Sequence, residues 1–188
     1  MRKLIMWNVM TLDGCFEGEK SWDLSFHELI WNKETERFSI EQLQSADMLV
    51  FGKATYEGMA AYWQTAKDEG ETTGYMNSLP KIVCSSTLPK ADWNNSTIVR
   101  DAATEIPKLK EQGDKNMFVF GSSKLSETLM KEGLFDEYRL LIAPVFLGKG
   151  RRLFPEGLPY QKLTLLETRP LTNGGIILRY LPVVVEKY

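Results

Sequence analysis

Three short segments set small or hydroxylated residues directly after an apolar run: "VFGKATYEG" (Val50 to Gly58), "VCSSTLP" (Val83 to Pro89) and "VFGSSKLSE" (Val119 to Glu127). Glycine lets a ligand approach the backbone, and hydroxyls donate hydrogen bonds. A helix that follows offers free N–H groups and the positive end of its dipole to an anion. Any one junction is also read as a plain turn in which Ser caps a helix. Three of them on neighbouring strand ends point to one ligand of dinucleotide size. Lys53 and Lys124 are either point charges for phosphates or solvated surface lysines.

The chemistry is bounded from several sides. There is no G-x-G-x-x-G and no G-x-x-x-x-G-K-[ST], so the common dinucleotide fold and the P-loop are not signalled. His27 is the single histidine, which leaves a zinc site or a Ser-His-Asp triad resting on one residue; no metal is expected. Cys15 and Cys84 lie far apart with no C-x-x-C, which fits a reducing cytoplasm. A net charge of −2 argues against a phosphate-tracking surface for nucleic acid. No apolar run approaches the roughly 18 residues that span a bilayer, and "LIMWNVMTLDGCFEG" reads as a first strand, not a signal peptide.

The elements that must position these junctions follow from the apolar pattern. The 188 residues, 43% hydrophobic and 26% charged, suit one globular domain over 1–188. "KLIMWNVMTLDG", "DMLVFGK", "KIVCSST", "STIVR" and "NMFVFG" are short apolar runs of the kind buried on both sheet faces. Helical spacing lies between them: one or two helices over Ser25 to Ala46, the Tyr56, Met59, Ala60, Trp63 stripe, "AATEIPKLKEQG", and the Leu125, Leu129, Met130 set. Lys67 to Gly74, "KDEGETTG", reads as a mobile surface loop. After Glu137 three strand-like runs follow, the last two joined by "TNGG" (Thr172 to Gly175), whose residues tolerate positive φ. The expected fold is a three-layer αβα sandwich around a mixed, mostly parallel sheet, closed by an antiparallel C-terminal hairpin. The terminal strands could pair across a two-fold axis, so a homodimer is expected.

The ordered set "NVMTLDG", "LVFGKATYEGMAAYW", "SLPKIVCSSTL", "MFVFGSSKL" and "LFDEYRLLIAPVFLGKGRRLF" resembles the dihydrofolate reductase superfamily, most closely its riboflavin-biosynthesis reductase branch, over nearly the whole chain. The resemblance implies a dihydrofolate-reductase-like fold and NADPH as cofactor. It assigns Gly52, Lys53 and Thr55 to the phosphates. Ser85, Ser86 and Thr87 fall on the 2′-phosphate side of the adenosine, and Gly121, Ser122, Ser123, Lys124 and Leu125 on the pyrophosphate. Met10, Thr11, Asp13 and Gly14 flank the nicotinamide. The implied activity is hydride transfer to a small heterocycle, similar to 5-amino-6-(5-phosphoribosylamino)uracil or a pterin.

On the substrate side the resemblance is looser. Trp22 is followed by Asp23, His27 and Glu28, where folate reductases carry one carboxylate after a Trp. A buried carboxylate there would suit acid catalysis, whereas Asp23 also reads as a helix N-terminal residue. Asp13, the candidate catalytic residue, either binds substrate or braces the turn before Gly14. Tyr56 is a candidate for the substrate pocket or for the core; Trp63 is assigned to the core. Arg151 and Arg152 either meet a substrate phosphate or are solvated. Two rivals stand beside the reductase: a non-catalytic NADPH- or nucleotide-binding module, and a phosphate-ester transferase, which the missing P-loop disfavours.

Overall fold

The computed structural model describes residues 1–67 and 70–183. The chain runs through β1 (Lys3–Thr11), β2 (Cys15–Glu17), a 3-10 turn (Ser25–Leu29), α1 (Lys33–Gln44), β3 (Ala46–Gly52), α2 (Lys53–Trp63), α3 (Gly70–Ser78), β4 (Lys81–Cys84), β5 (Ser96–Val99), α4 (Ala102–Glu111), β6 (Asn116–Phe120), α5 (Ser123–Lys131), β7 (Glu137–Ala143), β8 (Arg151–Arg152), β9 (Leu163–Pro170) and β10 (Ile176–Pro182). Eight strands form one sheet in the order β5-β4-β3-β6-β1-β7-β10-β9, and β2 pairs with β8. The pairings from β5 to β7 are parallel; β10 is antiparallel to both β7 and β9. The mixed sheet and its terminal hairpin are as expected.

The central strands read as continuous apolar runs because both faces are covered. The period of two sends Ile5, Trp7 and Val9 toward a core shared with Phe38, Leu43, Tyr56, Met76 and Trp93 from the α1 to α3 side. Leu4 and Met6 turn toward Ile106, Leu125 and Leu129 of α4 and α5. The edge of the first core holds a buried charge. Lys81 is wholly buried; its Nζ donates to the carbonyls of Asn77, Leu79 and Asn94 at 2.8 to 3.1 Å and sits 4.4 Å from the Trp93 ring centre. Burial pulls its pKa down to about 8.

The stretch expected to be a loop over Lys67 to Gly74 is in part helical. Residues 68–69 lie outside the described residues, and α3 begins at Gly70. Thr72 and Met76, four residues apart, are both buried, so tertiary packing recruits a segment whose composition favours a loop. The "TNGG" hairpin is as expected, with Gly174 at φ +87. It is also tied to the first half of the chain: Asn173 Nδ2 donates to the Ile30 carbonyl at 2.7 Å, and the Thr172 hydroxyl and N–H donate to Glu34. No helix among the described residues is long and apolar enough to cross a membrane.

Candidate functional site

The carboxyl ends of the parallel strands open on one elongated cleft of about 940 Å³. Sheet order sets the sequence of groups along it. Arg100 follows β5, Ser86 and Thr87 follow β4, Gly52 to Thr55 follow β3, and Gly121 to Lys124 follow β6. Trp7, Asn8 and Val9 of β1 come next, then Glu17 of β2 and Trp22.

The gap between β6 and β1 has a simple origin. Trp7 pairs with Phe120, the last residue of β6, whereas β1 runs on to Thr11, paired with β7 from Ile5 to Thr11 but from Asn8 onward on that side alone. One edge of that second half of β1 therefore faces the cleft instead of a strand. Crevices at a strand-order switch arise in this way.

Two helices point their N-termini into the cleft without a side-chain cap: α2, preceded by Gly52, and α5, preceded by Ser122. By contrast, Asn32 and Asp101 cap α1 and α4 by accepting from backbone N–H groups. An uncapped first turn leaves its N–H groups and dipole available to an anion. Lys53, Lys124 and Arg100 supply cations along the same wall.

All the expected junction residues line the cleft, and Thr55, Ser85 and Ser122 among them also hold the turns together. The Ser122 N–H donates to Thr55 Oγ1 at 3.0 Å, Gly52 N–H donates to Ser122 Oγ at 3.0 Å, and Ser122 Oγ donates to the Phe120 carbonyl at 3.1 Å. Thr55 and Ser122 thus weld the two helix starts to one another. Ser122, which the resemblance assigns to the pyrophosphate, therefore offers no free N–H of its own, that group being bonded to Thr55. Ser85 is likewise occupied, its Oγ accepting from Thr87 N–H at 3.2 Å and Leu88 N–H at 3.0 Å. Ser86 and Thr87 remain exposed on the lining, as do Lys53 and Lys124. Gly52, Gly121 and Ser123 also line the cleft; Leu125 does so from a largely buried side chain that packs in the core.

Several expected residues stand elsewhere. Met10, Thr11, Asp13 and Gly14 are outside the lining, which β1 meets with Trp7 to Val9, because the strand opens onto the cleft as soon as β6 ends. Met10 packs toward the α4 and α5 side. Thr11 Oγ1 donates to Asp13 Oδ1 at 2.5 Å, and the Asp13 carboxylate accepts from Leu147 and Gly148 N–H at 3.3 and 2.8 Å. The Thr11 hydroxyl, followed by the Gly148 amide, holds the Asp13 pKa below the usual carboxylate range. Of the two readings left open for Asp13, the turn brace is the one its contacts describe. Asp23 is also outside the lining, accepting from Ser25 Oγ at 2.9 Å as the 3-10 turn begins. Tyr56 is 4% exposed; its hydroxyl accepts the Trp93 N–H at 2.8 Å, so it belongs to the core and not to the pocket.

Trp22 and His27 do line the cleft. Trp22 sits at φ +65, and its N–H donates to Glu17 Oε1 at 2.6 Å. Burial pulls the His27 pKa down to about 4, leaving the imidazole neutral at pH 7. Sequence reasoning missed Asn8, Glu17 and Arg100. Arg100 Nη1 donates to the carbonyls of Ser85 and Leu88, both at 2.8 Å, which fixes it beside Ser86 and Thr87. Glu17 is carried by β2, where it pairs with Arg151 of β8. A Cβ on Gly150 would stand 2.5 Å from the Glu17 carbonyl, so the "GKGRR" turn can seat Arg151 beside Glu17 only with glycine at that position. None of the three carries a local signal, since strand pairing distant in sequence creates their neighbourhood.

The model of the RibD C-terminal domain family matches residues 2–177. Among curated proteins, YyaP of Bacillus subtilis (strain 168), which is uncharacterized, is 28% identical over 184 residues, 95% of this chain and 94% of its own. Among solved structures, a candidate riboflavin biosynthesis protein of Shewanella sp. PV-4 aligns with a TM-score of 0.80 at 18% identity, covering 96% of this chain and 99% of that one. Dihydrofolate reductase from Enterococcus faecalis, solved as a complex with NADP(H) and RAB-propyl, aligns with a TM-score of 0.65 at 16% identity and 96% of each chain. At these identities the solved structures speak for the fold.

Proposed function

Because the chain belongs to the RibD C-terminal domain family, we propose that it is an NADPH-dependent reductase that delivers hydride to a small heterocyclic acceptor of the ribosylamino-pyrimidine or pterin type. The observation that carries this reading is the pair of uncapped helix starts, α2 and α5, opening together on one cleft whose cations follow sheet order. The donor set fits the cofactor. The first turns of α2 and α5 with Lys53 and Lys124 would hold the pyrophosphate, and Arg100 with Ser86 and Thr87 would hold the 2′-phosphate. Thr55 and Ser122 would keep the two helix starts at a fixed separation. The unpaired edge of β1 would meet the nicotinamide carboxamide. NADPH, when bound, supplies the hydride; the chain orients it against the acceptor and keeps water out.

Fluorescence titration tests this reading. Saturable NADPH binding, with NADH and ATP weaker, is expected; equal ATP binding, or no saturable NADPH binding, overturns it. The commitment of Asp13 to the 147–148 turn favours a second reading, a non-catalytic NADPH-binding module. NADPH oxidation across ribosylamino-pyrimidines, dihydrofolate, quinones and aldehydes separates the two.

Two accompanying proposals concern assembly and compartment. β9 is an outer strand of the main sheet, with Leu163, Leu165 and Leu166 exposed, and would pair with a second copy; analytical ultracentrifugation reads the mass. Cys15 and Cys84 are both free, which suits the cytoplasm.

A further inference from the structure

Lys81, at the start of β4, carries a wholly enclosed charge, and none of the ion pairs among the described residues includes it. A lysine is almost never fully buried unless something replaces its water and its counter-charge. Here the carbonyls of Asn77, Leu79 and Asn94 do so, one for each N–H of the ammonium, with the Trp93 ring as a further wall. Asn77 and Leu79 lie at the C-terminal end of α3, where carbonyls lack helical partners and the helix dipole favours a cation.

The residues that hold Lys81 also hold α2. Asn77 Oδ1 accepts from the Trp93 indole N–H at 2.7 Å, and Asn77 Nδ2 donates to the carbonyl of Trp63, the last residue of α2, at 2.9 Å. The Trp93 backbone N–H donates to the hydroxyl of Tyr56, at the end of the first turn of α2, at 2.8 Å. Both ends of α2 therefore rest on Asn77 and Trp93, which meet at the Lys81 ammonium. Tyr56 directly follows Thr55, so this seat lies one residue from the helix start that opens on the cleft.

Loss of one proton unbalances this cage. A neutral amine keeps two N–H groups and gains a lone pair, so one of the three carbonyls faces that lone pair and the attraction to the Trp93 ring lapses. Neighbouring charges offer no substitute. Asp47 of β3 is held by Arg2, and Asp92, in the loop before β5, by Lys90. Glu71 of α3 and Lys53, Glu57 and Tyr62 of α2 are exposed, while Tyr56 and Tyr75 pack in the core. Burial brings the Lys81 proton within reach of mild alkali.

Resting on the reading of α2 as a phosphate-binding helix start, we propose that Lys81 is a positioning residue of the cofactor site: its ammonium, through Asn77 and Trp93, sets the seat of α2, and the cleft holds NADPH less tightly as that proton is lost. Lys81 is not part of the cleft lining and touches no ligand there. It acts only through the residues that it gathers.

NADPH titrations between pH 7 and 9.5, with amide hydrogen exchange of the free protein over the same range, test this. The cofactor phosphates are ionised throughout, and the Cys84 thiol on the cleft wall, pushed up to about 12 by burial, stays protonated. NADPH affinity is expected to fall at least fivefold across the range and to recover on return to pH 7, with α2 and α3 losing protection relative to α4 and α5. Lys81→Met removes the charge and keeps most of the bulk. It should bind NADPH more weakly at pH 7 and with a shallower pH profile, since any contribution of the other groups is common to both proteins. A flat profile in the unmodified protein, an equally steep one in Lys81→Met, an unchanged affinity of that variant at pH 7, or protection of α2 and α3 that keeps pace with α4 and α5 overturns the proposal. The profile and the exchange of the unmodified protein need no variant, so they decide even if Lys81→Met fails to fold. Absence of NADPH binding overturns the reductase reading, and exchange alone then decides whether Lys81 seats α2: protection of α2 and α3 lost above pH 8 supports it, and protection retained overturns it.

Discussion

The six-membered ring of Trp22 occupies the space that a side chain on Gly58 would need: a Cβ there would lie 1.9 Å from Trp22 Cζ2 and 2.2 Å from Cε2. A glycine in the middle of a helix costs about 1 kcal/mol relative to alanine. In α2 that cost is offset by the seating of an indole from a loop thirty-odd residues earlier, on the wall of the cleft. The loop's backbone follows, with Trp22 at φ +65 and its N–H on Glu17.

Gly58→Ala should therefore separate stability from site geometry. The gain in helix propensity and the loss of the Trp22 seat oppose one another, so the unfolding free energy should change by no more than about 1 kcal/mol. Trp22, already 41% exposed, should swing outward. The measurement is tryptophan emission, compared with the same substitution in a Trp22→Phe background. A red shift absent from that background is expected; identical spectra would show that the ring had not moved.

The weld between the two helix starts gives a second expectation. Ser122→Ala leaves the Gly52 N–H without its acceptor, and Thr55→Val does the same to the Ser122 N–H. Each should cost about 1–3 kcal/mol, the penalty for an unmet buried donor. Thr55→Ser keeps the oxygen and should cost less. Urea denaturation reads the stabilities, and a parallel NADPH titration should show affinity falling in the same order.

Arg100 should govern cofactor choice. Arg100→Ala removes a cation set beside Ser86 and Thr87, so NADPH affinity should fall at least tenfold while NADH affinity changes by less than threefold. Ser86→Ala should act in the same direction with a smaller effect. A loop disturbance alone, through loss of the bonds to Ser85 and Leu88, would weaken both cofactors equally. The ratio of the two dissociation constants decides between these.

Acid stability should carry the signature of His27. Burial lowers its pKa from 6.5 to about 4, so between those values the unfolded chain binds more protons than the folded one. Stability is then complete above pH 6.5 and is lost as pH falls toward 4, by roughly 3 kcal/mol at 1.36 kcal/mol per pKa unit. Urea midpoints at pH 7, 6 and 5 measure the slope, and His27→Leu should flatten it. An unchanged slope in that variant would mean that other groups carry the acid transition.

Much of the fold was legible because its signals are local. Apolar runs ending at Gly52 and Gly121 mark strand ends, the Tyr56 to Trp63 stripe marks α2, and "TNGG" marks the final hairpin. Where a local signal misled, packing was the cause: Gly70 to Gly74 reads as a loop and becomes the start of α3 once Thr72 and Met76 find cover. Tyr56 shows the same limit inside a correctly read helix. Its spacing places it on the buried face, but only Trp93, thirty-seven residues on, decides that its hydroxyl is bonded in the core.

Sequence alone established that the ends of β3, β4 and β6 meet at the cleft, because short-range period and turn chemistry establish the alternation of strands and helices, and parallel strands bring their ends together. Tertiary structure alone decided which side chains there are free for a ligand. A hydroxyl at a strand end faces inward or outward according to its turn and its neighbours across the sheet, so Ser122 and Thr55 became a brace while Ser86 and Thr87 stayed open. Strand register decided that β1 meets the cleft at Asn8 instead of Thr11. The pairing of β2 with β8 set Glu17 beside Arg151 across more than a hundred residues, and no pattern in either segment anticipates it.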